Sequence, residues 1–346
     1  MMDEETIEKK GLLPTLELLN SCSRIHTDPT NLISTLHAQY GVRVFFTLYS
    51  SPDKRNSCTS IASLSQAGIG LPDRDYYFDE DKQEKRMKYV EYLQKMFNLL
   101  GTSIEGKSCE ILSVYKDELV CADGAQAVLE IETLLATAHL SRTEMRDPEL
   151  TYNKMNLNDL SALCRADLSS GDESVHKGMD WPRYFAEIGK PEVELGDVNI
   201  TSLKAFSALG SILQTIPSEK LMHYCIFHCM NSVARHLPLA FSNLYFEFFE
   251  KELKGTAEQK PRWKKSLEFL EDSLGEALGK LYVQKHFQGD AKQRALQVVE
   301  AVRDALRERL QEVPWMSDTT RAEALIKMEK FRVKIGYPVS NKELVL

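Results

Sequence analysis

Histidine spacing is the feature that would most directly identify a metal-dependent hydrolase in this sequence. Two histidines four positions apart on a helix, with a glutamate after the first, place two zinc ligands and a general base on one face. The eight histidines of the chain are His26, His37, His139, His176, His223, His228, His236 and His286. No two of them form this H-E-x-x-H pattern, so the sequence assigns no catalytic residue, cofactor ligand or metal ligand.

A second group of potential metal ligands lies on one predicted helix. Cys225, His228 and Cys229 would share one side of that helix. A structural zinc site would need a fourth ligand and usually contains cysteines in C-x-x-C spacing. Ile226 and Met230 make the helix apolar around much of its circumference. We therefore interpret this segment as a buried helix that carries thiols in the core.

Two glycine-containing segments superficially resemble ligand-binding loops. A phosphate-binding loop has four residues between its glycines and a serine or threonine after the lysine. Here three residues separate Gly275 from Gly279, and Leu281 follows Lys280. Glycines four apart indicate instead a close contact between helices. Residues 68–72, Gly-Ile-Gly-Leu-Pro, lack the third glycine of a dinucleotide fingerprint and are predicted to form a turn.

Acidic residues are dense after this turn, but they do not have the spacing of a calcium loop. They are Asp73, Asp75, Asp79, Glu80 and Asp81. The glycine and the terminal glutamate that a calcium loop requires are missing, so we interpret these residues as a solvated acidic surface. The chain also has no G-x-S-x-G sequence that would position a serine nucleophile.

Composition and charge exclude several classes of protein. The chain has 346 residues and a net charge of −8, whereas nucleic-acid binding needs clustered positive charge, so no nucleic-acid partner is expected. No apolar run reaches the roughly 18 residues of a membrane helix. The acidic N-terminus lacks the basic and apolar parts of a signal peptide, so the chain as written would be cytoplasmic. Seven scattered cysteines indicate free thiols in a reducing compartment.

Helical periodicity dominates the chain. Apolar residues at spacings of three and four run from Met87 to Leu100 and predict a helix that ends at Gly101, a residue suited to a left-handed C-cap. The same spacing from Val299 to Val313 predicts another long helix. Each of these helices is expected to face solvent and to bury one apolar stripe.

Turn and capping residues set the other boundaries. Alternating residues over 42–48 predict a strand, and a turn at 50–53 allows 58–64 to return as a second strand of a small β-hairpin. Asp318 is expected to cap the helix that follows it by accepting free backbone N–H groups. The patterns together predict a mainly α fold, a multi-helix region with one small β-hairpin.

The length of the chain exceeds what one compact core usually holds. Lys254, Gly255 and Pro261 interrupt the sequence between two helix-rich regions. We therefore expect two domains, residues 1–254 and 262–346.

Seven blocks of sequence, taken in order, carry more information than any single residue. They are residues 2–8, 68–77, 146–148 with 152–155, 261–265, 279–287, 315–320 and 335–338. The most distinctive read G-I-G-L-P-D-R-D-Y-Y from Gly68 and I-G-Y-P from Ile335. In this order, over almost the whole chain, the blocks resemble the N-terminal half of the neprilysin and endothelin-converting-enzyme family of zinc metalloendopeptidases.

The resemblance implies a fold and a function. Members of this family have two mainly helical lobes around a central chamber, and the earlier half of the sequence supplies most of the smaller lobe, which admits peptides and excludes folded proteins. The later half supplies a thermolysin-like lobe with H-E-x-x-H, a downstream E-x-x-x-D and the substrate-holding N-A-[FY]-[FY] sequence. None of these has a matching position here. The resemblance therefore implies that residues 262–346 begin an incomplete thermolysin-like lobe.

Two hypotheses for function remain open. In the first, the chain is the chamber-forming N-terminal region of a zinc metalloendopeptidase, meets peptide substrates through the missing catalytic half and is inactive alone. Zinc in such enzymes polarises the peptide carbonyl and activates water, while a glutamate takes the proton. In the second, the chain is a stand-alone helical peptide-binding module or pseudoenzyme. An incomplete lobe should leave apolar helix faces uncovered after about residue 262, which separates the two hypotheses.

Overall fold

Two compact units form the chain, Asp3–Gln259, called unit 1, and Lys260–Leu346, called unit 2. They are seen in a computed structural model, which describes residues 3–25, 28–103, 118–165, 178–189 and 196–337. Fourteen α-helices and one four-stranded sheet make up most of the secondary structure of these residues. The prediction of a mainly α fold is therefore confirmed.

Unit 1 contains the first eleven helices and the sheet. The helices are α1 (Glu4–Lys10), α2 (Leu16–Ile25), α3 (Pro29–Tyr40), α4 (Asp75–Phe78), α5 (Gln83–Thr102), α6 (Glu118–Ala138), α7 (Leu157–Leu163), α8 (Trp181–Glu187), α9 (Leu203–Thr215), α10 (Ser218–Val233) and α11 (Leu239–Tyr245). A π-helical turn, Phe246–Glu252, follows α11. Short 3-10 turns are Leu13–Thr15, Glu80–Lys82, Glu144–Arg146 and Ala234–His236.

Unit 2 contains three helices. They are α12 (Arg262–His286), α13 (Ala291–Glu312) and α14 (Asp318–Glu329). Across the described part of both units, no helix combines the length and the apolar character needed to cross a membrane.

Local sequence explains where α3 begins and ends. The side chain of Asp28 accepts the backbone N–H of Asn31 at 3.1 Å, which satisfies one of the free donors of the first turn. Pro29 occupies the first helical position, where no N–H partner is needed. Gly41 ends the helix with a φ of 65°, a left-handed conformation that glycine adopts without strain.

The sheet confirms the predicted hairpin and adds two strands to it. Its strands are β1 (Phe46–Pro52), β2 (Ser60–Gln66), β3 (Asn153–Met155) and β4 (Val198–Ile200), in the spatial order β1-β2-β4-β3. β1 and β2 are antiparallel, β4 runs parallel to β2, and β3 is antiparallel to β4. Both hairpin strands lie later than predicted, because the turn is closed between Asp53 and Thr59 by a backbone hydrogen bond of 2.9 Å.

A buried carboxylate ties the turn of the hairpin to the β3 side of the sheet. Asp53 Oδ1 accepts the backbone N–H of Arg55 at 2.9 Å and the hydroxyl of Tyr152 at 2.8 Å. Lys154 Nζ lies 3.3 Å from Oδ2 of the same side chain. The hydrogen bond from Arg55, followed by that from Tyr152, lowers the pKa of Asp53 to about 2. The carboxylate therefore stays ionised and keeps its donors throughout the neutral pH range.

The helix α6 is central to unit 1, because it packs against α5, α9 and α10. Its Val128 and Ile131 have no exposed surface. Tyr89 and Tyr92 of α5 stack on Phe248, with ring centroids 5.4 and 5.2 Å apart. Enclosed aromatic rings bury large apolar areas, so this layer contributes strongly to the stability of unit 1.

Unit 2 has very little enclosed core within its described residues. Neither α12 nor α13 contains a buried residue, and Met328 of α14 is the one apolar side chain of residues 260–337 that is buried. Arg321 donates to the backbone oxygens of Leu310 and Val313 at 2.9 and 3.1 Å, where α13 and α14 meet. These helices are therefore held by local polar contacts more than by apolar burial.

The predicted end and stripe of α5 differ from the structure. The helix includes Gly101 and ends at Thr102, with Ser103 as its C-cap. Met87, predicted to lie on the buried stripe, is 62% exposed, whereas Tyr89 is fully buried. The reason is that the hydroxyl of Tyr89 has a hydrogen-bond partner inside the protein, so the ring can be enclosed without leaving a polar group unsatisfied.

Two predictions for unit 2 also need correction. The cap of α14 is Ser317, whose hydroxyl oxygen accepts the backbone N–H of Thr320 at 3.2 Å, and Asp318 is the first helical residue. The apolar stripe predicted for α13 is not enclosed by the described residues, since Val302 and Leu306 are 63% and 47% exposed. Periodicity identified the helix but not whether anything covers its apolar face.

Gly210 of α9 lies where a side chain has no room. A Cβ at this position would lie 1.7 Å from the backbone oxygen of Cys164, and rotation of a side chain cannot relieve an overlap with backbone. We expect Gly210→Ala to lower the free energy of unfolding of unit 1 by about 3 kcal/mol, measured by urea denaturation followed by circular dichroism.

Gly279→Ala in α12 is the matched control for this substitution. A Cβ at Gly279 meets nothing within 4 Å, so the change should be neutral or stabilise the helix by about 0.5–1 kcal/mol through higher helix propensity. Similar losses of stability in the two variants would contradict the described packing around Gly210.

Candidate functional site

Hydrogen bonds to backbone hold the most distinctive sequence block, residues 68–77, against the core. Tyr224 of α10 donates its hydroxyl to the carbonyl of Gly68 at 2.8 Å and accepts the N–H of Phe45 at 3.2 Å. Gly68 has a φ of 87°, and a Cβ there would lie 2.4 Å from both Phe45 N and Tyr224 Oη. Glycine is therefore required at this position. The predicted turn is confirmed as an irregular, bent segment.

A buried carboxylate, Glu132 of α6, lies beneath this segment. We call it and its three partners, Tyr77, Tyr89 and His228, the Glu132 cluster. Tyr77 donates to Oε2 at 2.8 Å, and Tyr89 donates to Oε1 at 3.0 Å. His228 Nε2 lies 3.0 Å from Oε1, at ion-pair distance. Glu132 has no exposed surface, so the two tyrosine hydrogen bonds replace water that the carboxylate loses on folding, whereas His228 Nε2 lies close without forming a hydrogen bond.

The Glu132 cluster also fixes the course of residues 68–77. Leu71 donates its backbone N–H to Tyr77 Oη at 3.2 Å, and a Cβ on Gly70 would lie 2.0 Å from Tyr89 Oη. Burial, followed by the negative charge of Glu132, raises the pKa of both tyrosines well above the ordinary range, so both remain protonated donors. Because the carboxylate is enclosed, it cannot touch a substrate, and its role is to position this segment.

A cavity of about 340 Å³ opens beside the same segment. Arg142 Nε lies 2.7 Å from the carboxylate of Asp73, and Arg74 donates to the backbone oxygen of His139 at 3.4 Å. Burial, followed by the positive charge of Arg74, lowers the pKa of His139 to about 4, so its imidazole is neutral at neutral pH. Arg146 completes the charged lining. Arg142 pairs with Asp73, and three arginines stand against one aspartate in this lining, so the cavity can accept a polar group.

A second cavity, of about 400 Å³, lies at the start of β1. His37 occupies its wall with both ring nitrogens in contact: Nε2 is 3.1 Å from the carbonyl of Val44, and Nδ1 is 2.8 Å from Tyr184 Oη. A carbonyl only accepts, so Nε2 donates and Nδ1 accepts in the neutral ring. Burial lowers the pKa of His37 to about 4. Its nitrogens therefore serve the fold and are not free for catalysis.

The predicted buried helix with core thiols is confirmed as α10. Cys225 and Cys229 have no exposed surface, and Ile226 and Met230 are equally buried around them. His228 contacts the carboxylate of the Glu132 cluster. The three residues considered as metal ligands therefore have different roles within the core.

The glycine and acidic predictions have mixed outcomes. Nothing lies within 4 Å of a Cβ built on Gly275 or Gly279, so the predicted close helix contact is wrong for the described residues. The helix is instead kinked at Leu274, whose φ is −133°. Asp73 has a side chain only 14% exposed and paired with an arginine, whereas residues 79–81 are exposed as predicted.

The described residues do not fit a catalytic zinc ion. Within the described ranges, no three histidine, cysteine, aspartate or glutamate side chains come together in an arrangement that could hold a metal. The H-E-x-x-H sequence is also absent from all 346 residues. We therefore assign no hydrolytic step to the described side chains.

The described residues of unit 1 form a mainly helical body in which the Glu132 cluster and Tyr224 hold residues 68–77 in place. The sequence matches the family described as Peptidase family M13 over residues 1–338. The chain therefore belongs to peptidase family M13 and corresponds to the N-terminal region of its members. This confirms the resemblance to neprilysin and endothelin-converting enzymes.

Two curated relatives match this chain over part of their own length. Endothelin-converting enzyme 1 from Homo sapiens is 28% identical over 349 residues, which cover 97% of this chain and 42% of the relative. Membrane metallo-endopeptidase-like 1 from Mus musculus is 24% identical, with 97% of this chain and 44% of the relative covered. The chain thus spans less than half the length of the curated relatives that it matches.

Solved structures show the same fold. The zinc metalloprotease Zmp1 of Mycobacterium tuberculosis, in complex with an inhibitor, is similar with a TM-score of 0.83 and 27% identity over 98% of this chain and 47% of that chain. PepO from Lactobacillus rhamnosis has a TM-score of 0.73 at 17% identity, over 98% of this chain and 50% of that chain, and shows the likeness of the fold alone.

Sequence reasoning did not identify Glu132, one of 51 acidic residues. The signal that could have found it is its position on α6. Val128, Ile131 and Leu135 surround it at spacings of one, three and four, and all three are buried. A carboxylate on the apolar face of a helix needs partners, and the donors to search for are Tyr77 of the 68–77 block and Tyr89 of α5.

Replacement of one carboxylate oxygen of Glu132 by an amide nitrogen should have a large effect on stability. Glu132→Gln removes the charge and replaces one acceptor oxygen with a donor, which leaves one of the surrounding donors without an acceptor. We expect the free energy of unfolding to fall by about 2–4 kcal/mol, measured by urea denaturation.

Glu130→Gln is the matched control on the same helix. Glu130 forms an exposed salt bridge with Lys220, so its neutralisation should change stability by at most about 0.5 kcal/mol. A Glu132→Gln variant as stable as this control would show that unit 1 does not depend on the buried carboxylate.

Proposed function

We propose that unit 1 is the substrate-enclosing lobe of a zinc metalloendopeptidase, and that unit 2 is the start of the catalytic lobe. Family membership and the likeness to zinc metalloprotease Zmp1 support this assignment. The division of the chain at Gln259 supports the domain ranges 1–254 and 262–346. The substrates are peptides, and zinc belongs to the complete enzyme.

The main support for the proposal is the exposure of many apolar side chains in unit 2. Those at least a third exposed are Trp263, Leu267, Phe269, Leu270, Leu274, Leu281, Tyr282, Val298, Val302, Leu306, Trp315, Ile326, Phe331 and Tyr337. Soluble monomeric proteins rarely expose apolar side chains at this density. A stand-alone binding module would have no reason to keep these faces open, whereas a lobe completed by further polypeptide requires them.

The contribution of this chain to peptide hydrolysis is enclosure, not chemistry. In the complete enzyme zinc would polarise the peptide carbonyl and activate water. The described residues supply no ligand set for that ion. What they supply is a rigid unit with a complete apolar core, in which the Glu132 cluster holds residues 68–77 in one conformation.

Charge and cysteine chemistry support the partner class and the compartment. A net charge of −8 is unsuited to nucleic-acid binding. Seven scattered cysteines, an odd number, support a reducing compartment.

A test of zinc binding and peptide cleavage distinguishes the proposal from an active enzyme. The purified chain should retain less than stoichiometric zinc after incubation with zinc and desalting, measured by elemental mass spectrometry. It should leave a quenched fluorescent peptide intact. Zmp1 of Mycobacterium tuberculosis, assayed in parallel, is the positive control.

One zinc per chain together with cleavage that a chelator abolishes would contradict the proposal. Binding of zinc without cleavage would also count against it, because the described residues provide no metal site.

A further inference from the structure

Three buried thiols meet where α2 packs against α10. Cys22 Sγ lies 3.6 Å from Cys229 Sγ, although the two residues are 207 positions apart in the sequence. Neither side chain has any exposed surface. Cys225, one helical turn before Cys229, is equally buried and completes the group. The fold therefore brings distant cysteines into direct contact within the core of unit 1.

We propose that Cys22 and Cys229 form a disulfide when the chain folds in the presence of a low-molecular-weight disulfide such as glutathione disulfide, and that they remain thiols under reducing conditions. The two cysteines together lose two protons and two electrons as the bond between their sulfur atoms forms. The sulfur–sulfur bond of the oxidant accepts them and breaks, which releases two molecules of its thiol.

The geometry favours this pair over the alternatives. The two sulfur atoms are at contact distance in the folded core, so a bond between them joins cysteines that the native packing already brings together. Cys225 shares the helix with Cys229, but the hydrogen-bond contact to Cys22 is made by Cys229. Cys58 is exposed in the turn of the hairpin, away from this buried group.

Burial of the Cys22 and Cys229 thiols determines at which stage of folding the disulfide can form. The attacking species in thiol–disulfide exchange is the thiolate. Burial, followed by the hydrogen bond with Cys22, raises the pKa of the Cys229 thiol well above its ordinary range, so the folded dithiol reacts very slowly. Exchange therefore takes place before the core closes, and the redox conditions during folding fix the state of the pair.

The position of the bond gives it a large effect on stability. It would close a loop of about 200 residues, and longer loops remove more freedom from the unfolded chain. It would also link α2 covalently to α10. That helix contains Tyr224, which is hydrogen-bonded to Gly68, and His228, which lies beside Glu132.

Counting thiols after refolding tests the proposal. The full chain carrying Cys58→Ser and Cys109→Ser has five cysteines left, seven minus two. It is refolded from denaturant with either a glutathione redox buffer or dithiothreitol, then alkylated with N-ethylmaleimide in denaturant. Intact mass spectrometry should find three adducts after glutathione and five after dithiothreitol. Peptide mapping should place the linkage between Cys22 and Cys229.

Matched variants on one helix identify the pair. The Cys225→Ala variant should carry two fewer adducts after refolding in glutathione than after refolding in dithiothreitol. The Cys229→Ala variant should carry the same number under both conditions. Cys22→Ala tests the same pair from the other helix, in case Cys229→Ala does not fold. The oxidised protein should also melt about 10 °C above the reduced protein.

Three results would overturn the proposal. They are five adducts after glutathione refolding, a two-adduct loss that persists in Cys229→Ala, and an oxidised protein that melts below the reduced one. Because the readouts are mass and melting temperature, they do not depend on peptidase activity.

Discussion

The buried carboxylate of Glu132 is the constraint on which the described part of unit 1 depends. Removing a charge from water costs several kcal/mol unless the protein supplies partners. Here the partners come from three other helices, Tyr77 of α4, Tyr89 of α5 and His228 of α10. All three helices must therefore adopt one arrangement around α6 for the core to close. The close approach of Gly70 to this cluster explains why its sequence block tolerates no side chain there.

Much of the helical architecture could be predicted from the sequence, because apolar periodicity repeats over many turns. The apolar circumference of α10 identified it as a buried helix, alternation and a turn identified the hairpin, and glycine and proline identified the turn at 68–72. Strands β3 and β4 were not predicted, since each has only three residues, which is too short for a period of two to be visible. Glu132 could not be distinguished from other acidic residues until its tertiary partners were known.

The errors in unit 2 have a different physical cause. Periodicity states which face of a helix is apolar, but it does not state what covers that face. The predicted stripe on α13 exists in the sequence, and Val302 and Leu306 nevertheless remain exposed. Likewise Gly275 and Gly279 have the spacing of a helix contact without a neighbour among the described residues. Both observations agree with a catalytic lobe whose core includes polypeptide beyond these helices, as the proposed function requires.

The described residues of unit 1 enclose a large apolar core, whereas the described helices of unit 2 leave most of their apolar side chains exposed. Amide hydrogen exchange followed by mass spectrometry tests this difference directly on the purified chain at neutral pH. We expect amides in α6 and α10 to exchange at least about 1,000-fold more slowly than those in α13, because local opening of α13 exposes little additional apolar surface. Protection of α13 equal to that of α6 would contradict this expectation.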